Sequence, residues 1–446
     1  MASQWIDRRP SVSMNTDVLV VGGGAAGLAA ACTAASHGLK VMLLERYGFC
    51  GGAAVAGLSG TVCGLYLARP GAAGKPEKVV HGFVDRFIET MDSRNGLTGP
   101  VRYGDTWTRV HEPLAWRESA DELLEKSGVQ VLLHTTVIGV HVDGGERVTG
   151  VRAYTKQGPF DVKAKVTIDA SGDADLFAMA GLDFTVGADG KVQNPTMIFR
   201  IRGVDVERFL ATYGEDSILP ESVMKAIGQA NQSGKYRLPR AKIFLFPTPR
   251  PNELLCNSTR VVGHDGSELH PLVASELTEA EIEGRRQVRE YERFYRATLA
   301  GCENAFVNDT GVQVGVRQTR QIVGMERLTN EAVERGAKTP DAIARSPWPI
   351  ELHSGTKPRL SWLHDDFYEI PLGCFIPRRG ESLLATGRSL SAEHEAMASA
   401  RVTAQCFSYG HAIGHAAAIA VREKLGVREI KASDVRELLR KDGAQL

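Results

Sequence analysis

Asp17 to Glu45 reads DVLVVGGGAAGLAAACTAASHGLKVMLLE, and the reading of this stretch governs the rest of the chain. Val18 to Val21 is a short apolar run, Ala25 to His37 is rich in small helix-forming residues, and Val41 to Leu44 is apolar again. That order predicts a βαβ unit with Gly22-x-Gly24-x-x-Gly27 at the first strand-to-helix turn. Gly22 permits the tight turn, Gly24 lets backbone approach a pyrophosphate, and Gly27 lets helix lie against strand. The helix start offers free N–H groups and a partial positive charge to the phosphates. Glu45 stands 21 residues beyond Gly24, at the end of the second strand. A carboxylate there accepts ribose hydroxyls and repels a 2′-phosphate. A bare Gly-x-Gly-x-x-Gly carries little weight, but strand, helix, strand and acid in this order point to a dinucleotide site rather than chance glycines.

The 446 residues can bury a large core and divide into about two domains. With 43% hydrophobic and 24% charged residues the composition is that of an ordinary globular protein. Fifty-three basic residues balance 53 acidic ones, so no net field draws nucleic acid or an anionic membrane. No apolar run approaches the roughly 20 residues of a membrane span. The opening MASQWIDRRPSVSMNTD lacks the apolar core of a secretory signal. Cys32, Cys50, Cys63, Cys256, Cys302, Cys374 and Cys406 are odd in number and form no C-x-x-C pair. Neither a zinc knuckle nor a disulfide scaffold is suggested, and a reducing cytoplasm fits. The expected partners are a small-molecule substrate and an unidentified electron acceptor or donor, with no nucleic acid; a homo-oligomer is left open.

After Glu45, the Gly/Ala-rich run Arg46 to Gly57 leaves the strand end that carries the acid, which favours a second clasp on the cofactor over a flexible loop. Ala68 to Pro76 reads as a surface loop, Val79 to Met91 and Pro113 to Glu125 as helices. Val129 to Leu133 reads as a buried parallel strand. Val137 to Val142, Val148 to Thr155 and Phe160 to Val162 form an expected meander. Lys165 to Asp169 is a further strand, ending in Ala170-Ser171-Gly172-Asp173 before a helix from Ala174 to Ala180. Thr196 to Arg202, Lys242 to Phe246 and Leu254 to Val262 read as strands, and Thr278 to Leu299 as a charged amphipathic helix with a solvated face. Gln318 to Met325 and Tyr368 to Pro371 are expected to return towards the cofactor. Ser382 to Ala385 is a strand stopping at Thr386-Gly387-Arg388, and a long small-residue helix is expected to start near Ser399 and run to Val421. The divisions expected are 15–194 (cofactor domain, first part), 195–365 (inserted α+β substrate or cap domain) and 366–446 (cofactor domain, second part).

The ordered pieces ERYGFCGGAAVAG, IDASGDADL, NSTRVVGHDG, GVRQTRQIVG, WPIELH, YEIPLGCFIP and TGRSLSAEHEAMASARV resemble a family of FAD-dependent oxidoreductases. It lies in the glutathione-reductase-like FAD superfamily, near the succinate dehydrogenase/fumarate reductase flavoproteins. The resemblance spans about Asp17 to Glu423. It implies an α/β fold, a doubly wound parallel sheet with a β-meander, holding extended FAD beneath a substrate domain. Gly22, Gly24, Ala25, Ala26 and Gly27 would cradle the pyrophosphate; Glu45 would take the adenosine ribose, with Arg46 beside it. Gly51, Gly52 and Ala53 would line ribityl and flavin, and Val137 would meet adenine. Ala170, Ser171 and Gly172 would follow the AMP half, and Gly387, Arg388, Arg401 and Val402 the ribityl and flavin. Cys50, Gln318, His411 and His415 depart from the residues usual in the family.

Flavin supplies the redox chemistry and protein supplies position and charge. Arg401 is a candidate to favour negative charge on reduced flavin, against an ion pair with Glu393 or Glu395. His394 is a candidate proton acceptor, against a loop-shaping hydrogen bond. His353 and Tyr368 are further catalytic candidates. Arg317 and Arg260 are candidates to clamp a carboxylate, against an interdomain structural role. Cys50 is weighed as a covalent flavin link against a small buried hydrophobe. His411 and His415, spaced i, i+4, are weighed as metal ligands, but no third ligand is visible and no metal is expected. No second Gly-x-Gly-x-x-Gly and no C-x4-C appear, which disfavours NAD(P)H-linked disulfide reduction. The expected enzyme is an FAD-dependent dehydrogenase or oxidase passing hydride from a small organic substrate to flavin N5. The alternatives are an FAD-dependent reductase of an activated double bond, a non-catalytic flavin-binding subunit, and an NAD-binding protein.

Overall fold

The structure is a computed structural model that describes residues 13–352 and 359–446. Ser13–Val21, the opening strand, pairs in parallel with Val41–Leu44 on one side and with Gly158–Asp169 on the other. Gln130–Leu132 extends the sheet beyond Val41–Leu44, and Leu383–Ala385 joins beside Gly158–Asp169, both in parallel. Val21, Leu44, Asp169 and Ala385 therefore end at one edge of the sheet. The four segments that follow them are the glycine turn, Glu45, Ala170–Gly172 and Thr386–Arg388. Open parallel sheets bind ligands at that edge.

Alternation along the opening strand divides two cores. Val18 and Val20, with Val41 and Leu43, pack with the helices Ala25–Ser36, Pro113–Lys126 and Thr403–Glu423. Leu19 and Val21, with Met42 and Leu44, pack with Val151, Phe160 and Val162 of the meander and with Phe177. The meander, rather than a second layer of long helices, thus covers the far face. Sequence splits Phe160–Val162 from Lys165–Asp169, but they form one 12-residue strand, Gly158–Asp169. Its first half pairs antiparallel with Arg147–Thr155 and its last three residues with Leu383–Ala385. Lys163 and Ala164, between the two expected strands, sit where Gly158–Asp169 passes from one partner to the next. Gln130–Leu132 is an exposed-to-intermediate edge strand, not a buried one.

Ala25–Ser36 and Thr403–Glu423 touch almost backbone to backbone. A Cβ on Gly410 would lie 2.0 Å from Ala26 O, and one on Gly414 would lie 2.7 Å from Ala30 O. The small-residue composition of both helices is thereby explained. The expected single helix from Ser399 is in fact two, His394–Ala400 and Thr403–Glu423. Val402 is extended at φ −78°, ψ 164°, and the first turn after it is tied to Cys63 O by Ala404 N at 3.1 Å. No glycine or proline announces this break.

Phe199–Arg202, Phe244–Pro247, Glu253–Asn257 and Phe306–Thr310 build a separate antiparallel four-stranded sheet. Leu245, Leu254 and Cys256 face a core with Tyr291, Phe294 and Tyr295 of the helix Ala274–Thr298. Phe244, Phe246 and Leu255 alternate to the other face, where Tyr103 and Trp348 meet them. Strands also cross out of 195–365: Arg320–Ile322 pairs with Phe184–Val186, and Ala342–Ser346 with Tyr368–Pro371. No helix among the described residues is long and apolar enough to cross a membrane.

Candidate functional site

The sheet edge opens into a long cavity. Every residue the resemblance assigns to the cofactor lines it, except Gly27 and Val402. Gly27 acts from beneath, since a Cβ there would lie 1.8 Å from Gly22 O. Gly22 itself turns at φ +105°, and a Cβ on it would meet Ala170 O at 2.4 Å. Only glycines let these segments nest. Gly24 opens to the cavity, where the nearest atom to an added Cβ is Gly52 Cα at 3.7 Å. The loop after Glu45 is thus drawn against the first turn, fixed by Gly51 N donating to Gly23 O at 2.8 Å.

Glu45 is 4% exposed and accepts from Gly23 N at 2.6 Å and from Tyr47 N at 2.9 Å. Burial raises its carboxyl, and those two N–H groups oppose the rise. Cys50 lies under the turn rather than in the cavity, where a Cβ on Gly23 would stand 2.6 Å from its sulfur. Burial pushes its thiol up, which suits a space-filling role. Asp169 is fully buried and accepts from Ser171 N at 3.0 Å, Ser171 Oγ at 2.6 Å and Leu176 N at 2.9 Å. It shapes the Ala170–Gly172 turn, and burial holds its carboxyl at about 6.

A second cavity adjoins the first beneath the inserted sheet. Ala53, Val316, Arg388, Arg401 and Thr403 line both. Tyr103, Phe246 and Trp348 form an aromatic wall in the second, with Tyr103 stacked 5.2 Å from Trp348 and 5.9 Å from Phe246. Glu351 and Arg317 line it as well. Tyr103 donates its hydroxyl proton to Glu351 Oε1 at 2.9 Å. Arg317 donates from Nη1 to Asn194 O at 2.7 Å and to Thr196 Oγ1 at 2.5 Å, both neutral acceptors. Arg401 Nε and Nη2, Arg388 Nη1 and Trp348 Nε1 are buried with no hydrogen-bond partner. Burial holds the Arg401 and Arg317 guanidiniums below their usual range, and the charges of Arg401 and Arg240 lower Arg317 further. Arg388 Nη2 donates to Asp173 Oδ1 at 3.1 Å, which fixes the guanidinium over Gly172.

The catalytic candidates scatter. Arg317 and Arg401 come together in the second cavity. Neither His394 nor Tyr368 lines either cavity. His394 opens the helix His394–Ala400 with a buried, unpartnered Nδ1, and burial lowers its pKa. Tyr368 is buried, its hydroxyl 2.8 Å from Ser399 Oγ, and burial pushes it up to about 12. Arg260 is partly buried outside the cavities. Gln318 is buried and donates to Gln321 Oε1 at 2.9 Å. His353 lies outside the described residues. Sequence reasoning passed over Glu351, two positions before His353 in WPIELH, and over Tyr103 and Trp348. It also missed Gln313, which reaches the first cavity from the inserted segment and accepts from Arg46 Nη2 at 2.9 Å. Only position in space unites these residues; no spacing marks them.

His411 and His415 gain neighbours that sequence did not show. Each Nε2 lies 3.3 Å from Asp442 Oδ2, and His415 Nδ1 is 2.8 Å from His37 Nε2. His411, His415 and Asp442 bring three ligand-type atoms within 4.8 Å of one another. Their surroundings favour hydrogen bonding. Phe83 N donates to His411 Nδ1 at 3.4 Å and Arg422 Nη1 lies 3.4 Å from His37 Nδ1. One set of tautomers then suits all: His37 Nε2–H donates to His415 Nδ1, His411 donates from Nε2 to Asp442, and the Nε2–H of His415 faces the same carboxylate at 3.3 Å.

Similarity to known proteins agrees with this geometry. The model of the family described as FAD dependent oxidoreductase matches residues 17–439. A digeranylgeranylglycerophospholipid reductase from Thermoplasma acidophilum is 26% identical over 226 residues, covering 48% of this chain and 55% of that protein. The match thus spans little more than half of that relative's length. A solved geranylgeranyl bacteriochlorophyll reductase-like protein, also from Thermoplasma acidophilum, superposes with a TM-score of 0.53 at 15% identity. It covers 96% of this chain and 84% of its own, and the likeness concerns the fold. The glycine cradle without side chains, the buried ribose-type carboxylate and the unpartnered arginine donors at the junction fit a bulky dinucleotide, and with the family match they lead to one statement: the chain belongs to the FAD dependent oxidoreductase family, and its cofactor is FAD.

Proposed function

We propose that the protein is an FAD-dependent dehydrogenase or oxidase of a small organic substrate bound in the second cavity. The observation that carries the proposal is the junction: Arg388, Arg401 and Thr403 belong to both cavities, and a carboxylate, Glu351, lies in the second. The proposed FAD domain, of glutathione-reductase-like type, comprises 15–194 and 366–446, with 195–365 as the cap. Gly22, Gly24, Ala25 and Ala26 bind the pyrophosphate, Glu45 the ribose, Val137 the adenine, and Gly51 to Ala53 the flavin half. A cytoplasmic setting belongs to the same proposal.

FAD held by these residues would supply a hydride acceptor for a substrate C–H bond at the junction. Arg401 and the N-terminus of the helix Thr403–Glu423 would favour negative charge on a reduced flavin there. Glu351 takes the proton released from the substrate's O–H or N–H, and Tyr103 orients that carboxylate through its 2.9 Å bond. The aromatic wall excludes water. A second reading, reduction of an activated double bond, is supported by the reductase among the relatives.

Anaerobic mixing of the yellow protein with a panel of organic substrates tests the proposal. Bleaching without added donor supports it; reoxidation of chemically reduced flavin by an enoate supports the second reading. No response to any compound favours a non-catalytic flavin-binding subunit. His394→Ala separates the two proton acceptors. Reduction that slows greatly in His394→Ala but not in Glu351→Gln transfers the role to His394.

A further inference from the structure

We infer that the second cavity selects a substrate carrying a carboxylate on an apolar body, held by Arg317 and Arg401. This deepens the proposed function and rests on it. The inference stands on charge and unmet hydrogen bonds together. Arg317 and Arg401 line the cavity, and Arg240 lies behind it, donating to Asn257 Oδ1 at 2.8 Å, a cavity residue. Arg240 and Arg317 are buried guanidiniums whose hydrogen-bond partners are neutral, namely backbone carbonyls, a threonine hydroxyl and an asparagine amide, and the charge of Glu351 acts on all three arginines. Glu351 is the carboxylate in the cavity lining, so cations outnumber anions among the described lining residues. Buried guanidiniums of this kind call for an anion.

Donors point the same way. Arg401 Nε and Nη2 and Trp348 Nε1 are buried and unpartnered. Trp348 is 2% exposed and borders only the second cavity of the two, so FAD in the first does not account for its N–H. A carboxylate offers two oxygens, each accepting several such bonds, and a guanidinium edge binds it in a fork. Tyr103, Phe246, Ile198 and Val402 give the wall an apolar stretch that suits an apolar body, beside the polar Ser59, Thr61, Thr196 and Asn257. Glu351 accepts from Tyr103 at the aromatic side, and its single negative charge leaves the arginines around it in excess.

Benzoate and its neutral counterpart benzamide test this on the FAD-loaded protein, read by flavin difference absorbance and by tryptophan fluorescence. Benzoate should bind roughly tenfold or more tightly than benzamide. Arg317→Lys keeps the charge and loses the fork; it should weaken benzoate several-fold and leave benzamide unchanged. Arg401→Lys should do the same, and it decides the matter if Arg317→Lys fails to fold. Equal affinities, no binding of either compound, or benzoate affinity untouched by both variants would overturn the inference. Failure of the functional reading shows separately, as a protein that takes up no FAD or whose flavin no substrate reduces, while carboxylate selectivity is still read by fluorescence.

Discussion

The second cavity and the histidine cluster both carry buried polar side chains, with Asp442 of the cluster exposed, and both are assembled from distant parts of the chain. They differ in how far their hydrogen bonds close. Around Asp442, both ring nitrogens of His37 and of His411 have partners, and the buried His415 Nε2, which makes no formal hydrogen bond, still lies 3.3 Å from Asp442 Oδ2. Around Trp348 and Arg401, donors are left over. A closed network holds structure together; an open one in a cavity awaits a ligand. The cluster therefore reads as a clasp of the C-terminal helix Ala432–Lys441 onto Thr403–Glu423, and the cavity as the working site.

The largest effect should come from the cavity. Glu351→Gln should slow substrate-driven flavin reduction by about a hundredfold or more, the usual contribution of a positioned base, with FAD still bound. Unchanged reduction kinetics in stopped flow would remove Glu351 from the proton's path. Asp442→Asn should do the reverse. Exchanging the carboxylate that faces His411 and His415 for a neutral amide with one acceptor oxygen should cost about 1–3 kcal/mol of unfolding free energy, measured in denaturant, and leave reduction within twofold. If it abolished reduction instead, the division between clasp and site would fail.

Acid should act on the clasp before the cavity. Burial lowers the pKa of His37 and His415, and the hydrogen bond from His411 lowers that of Asp442. The unfolded chain binds more protons than the folded one below the ordinary histidine value of 6.5. Stability is then complete above about pH 6.5 and falls as pH drops through the folded values. His111, buried and held at about 3, has the same sign. Asp169, raised to about 6 from 3.8, has the opposite sign and blunts the loss between those values. A thermal midpoint that rises from pH 7.5 to 5.5 would contradict neutral buried histidines. The smallest effect is expected at Tyr103→Phe, which removes one bond to Glu351 and should slow reduction only several-fold; a collapse as deep as that of Glu351→Gln would make Tyr103 itself the proton carrier.

Local sequence carried the cofactor half of the site because each requirement there is met within a few residues. The turn at Gly22–Gly27, the acid after the second strand and the small residues after Asp169 and Ala385 are all strand-end features. The insert was less legible. Its strands shifted by several residues, as at Phe199–Arg202 against the expected Thr196 start, because loops bordering an inserted sheet carry the same apolar residues as its strands. The break at Arg401–Val402 left no signal, since it is fixed by Cys63 O and Thr61 O from elsewhere in the chain. Glu351 hid behind the more suggestive His353 in the same motif.

By itself the sequence determined that a glycine turn, a helix and a strand-end carboxylate would cradle a dinucleotide, because sterics and hydrogen bonding act there over short range. Only the tertiary structure decided that Tyr103, Arg317, Trp348, Glu351 and Arg401 share one cavity, and that His37, His411, His415 and Asp442 close on one another. Burial and unmet hydrogen bonds are properties of packed neighbours up to hundreds of residues apart, and no local pattern encodes them.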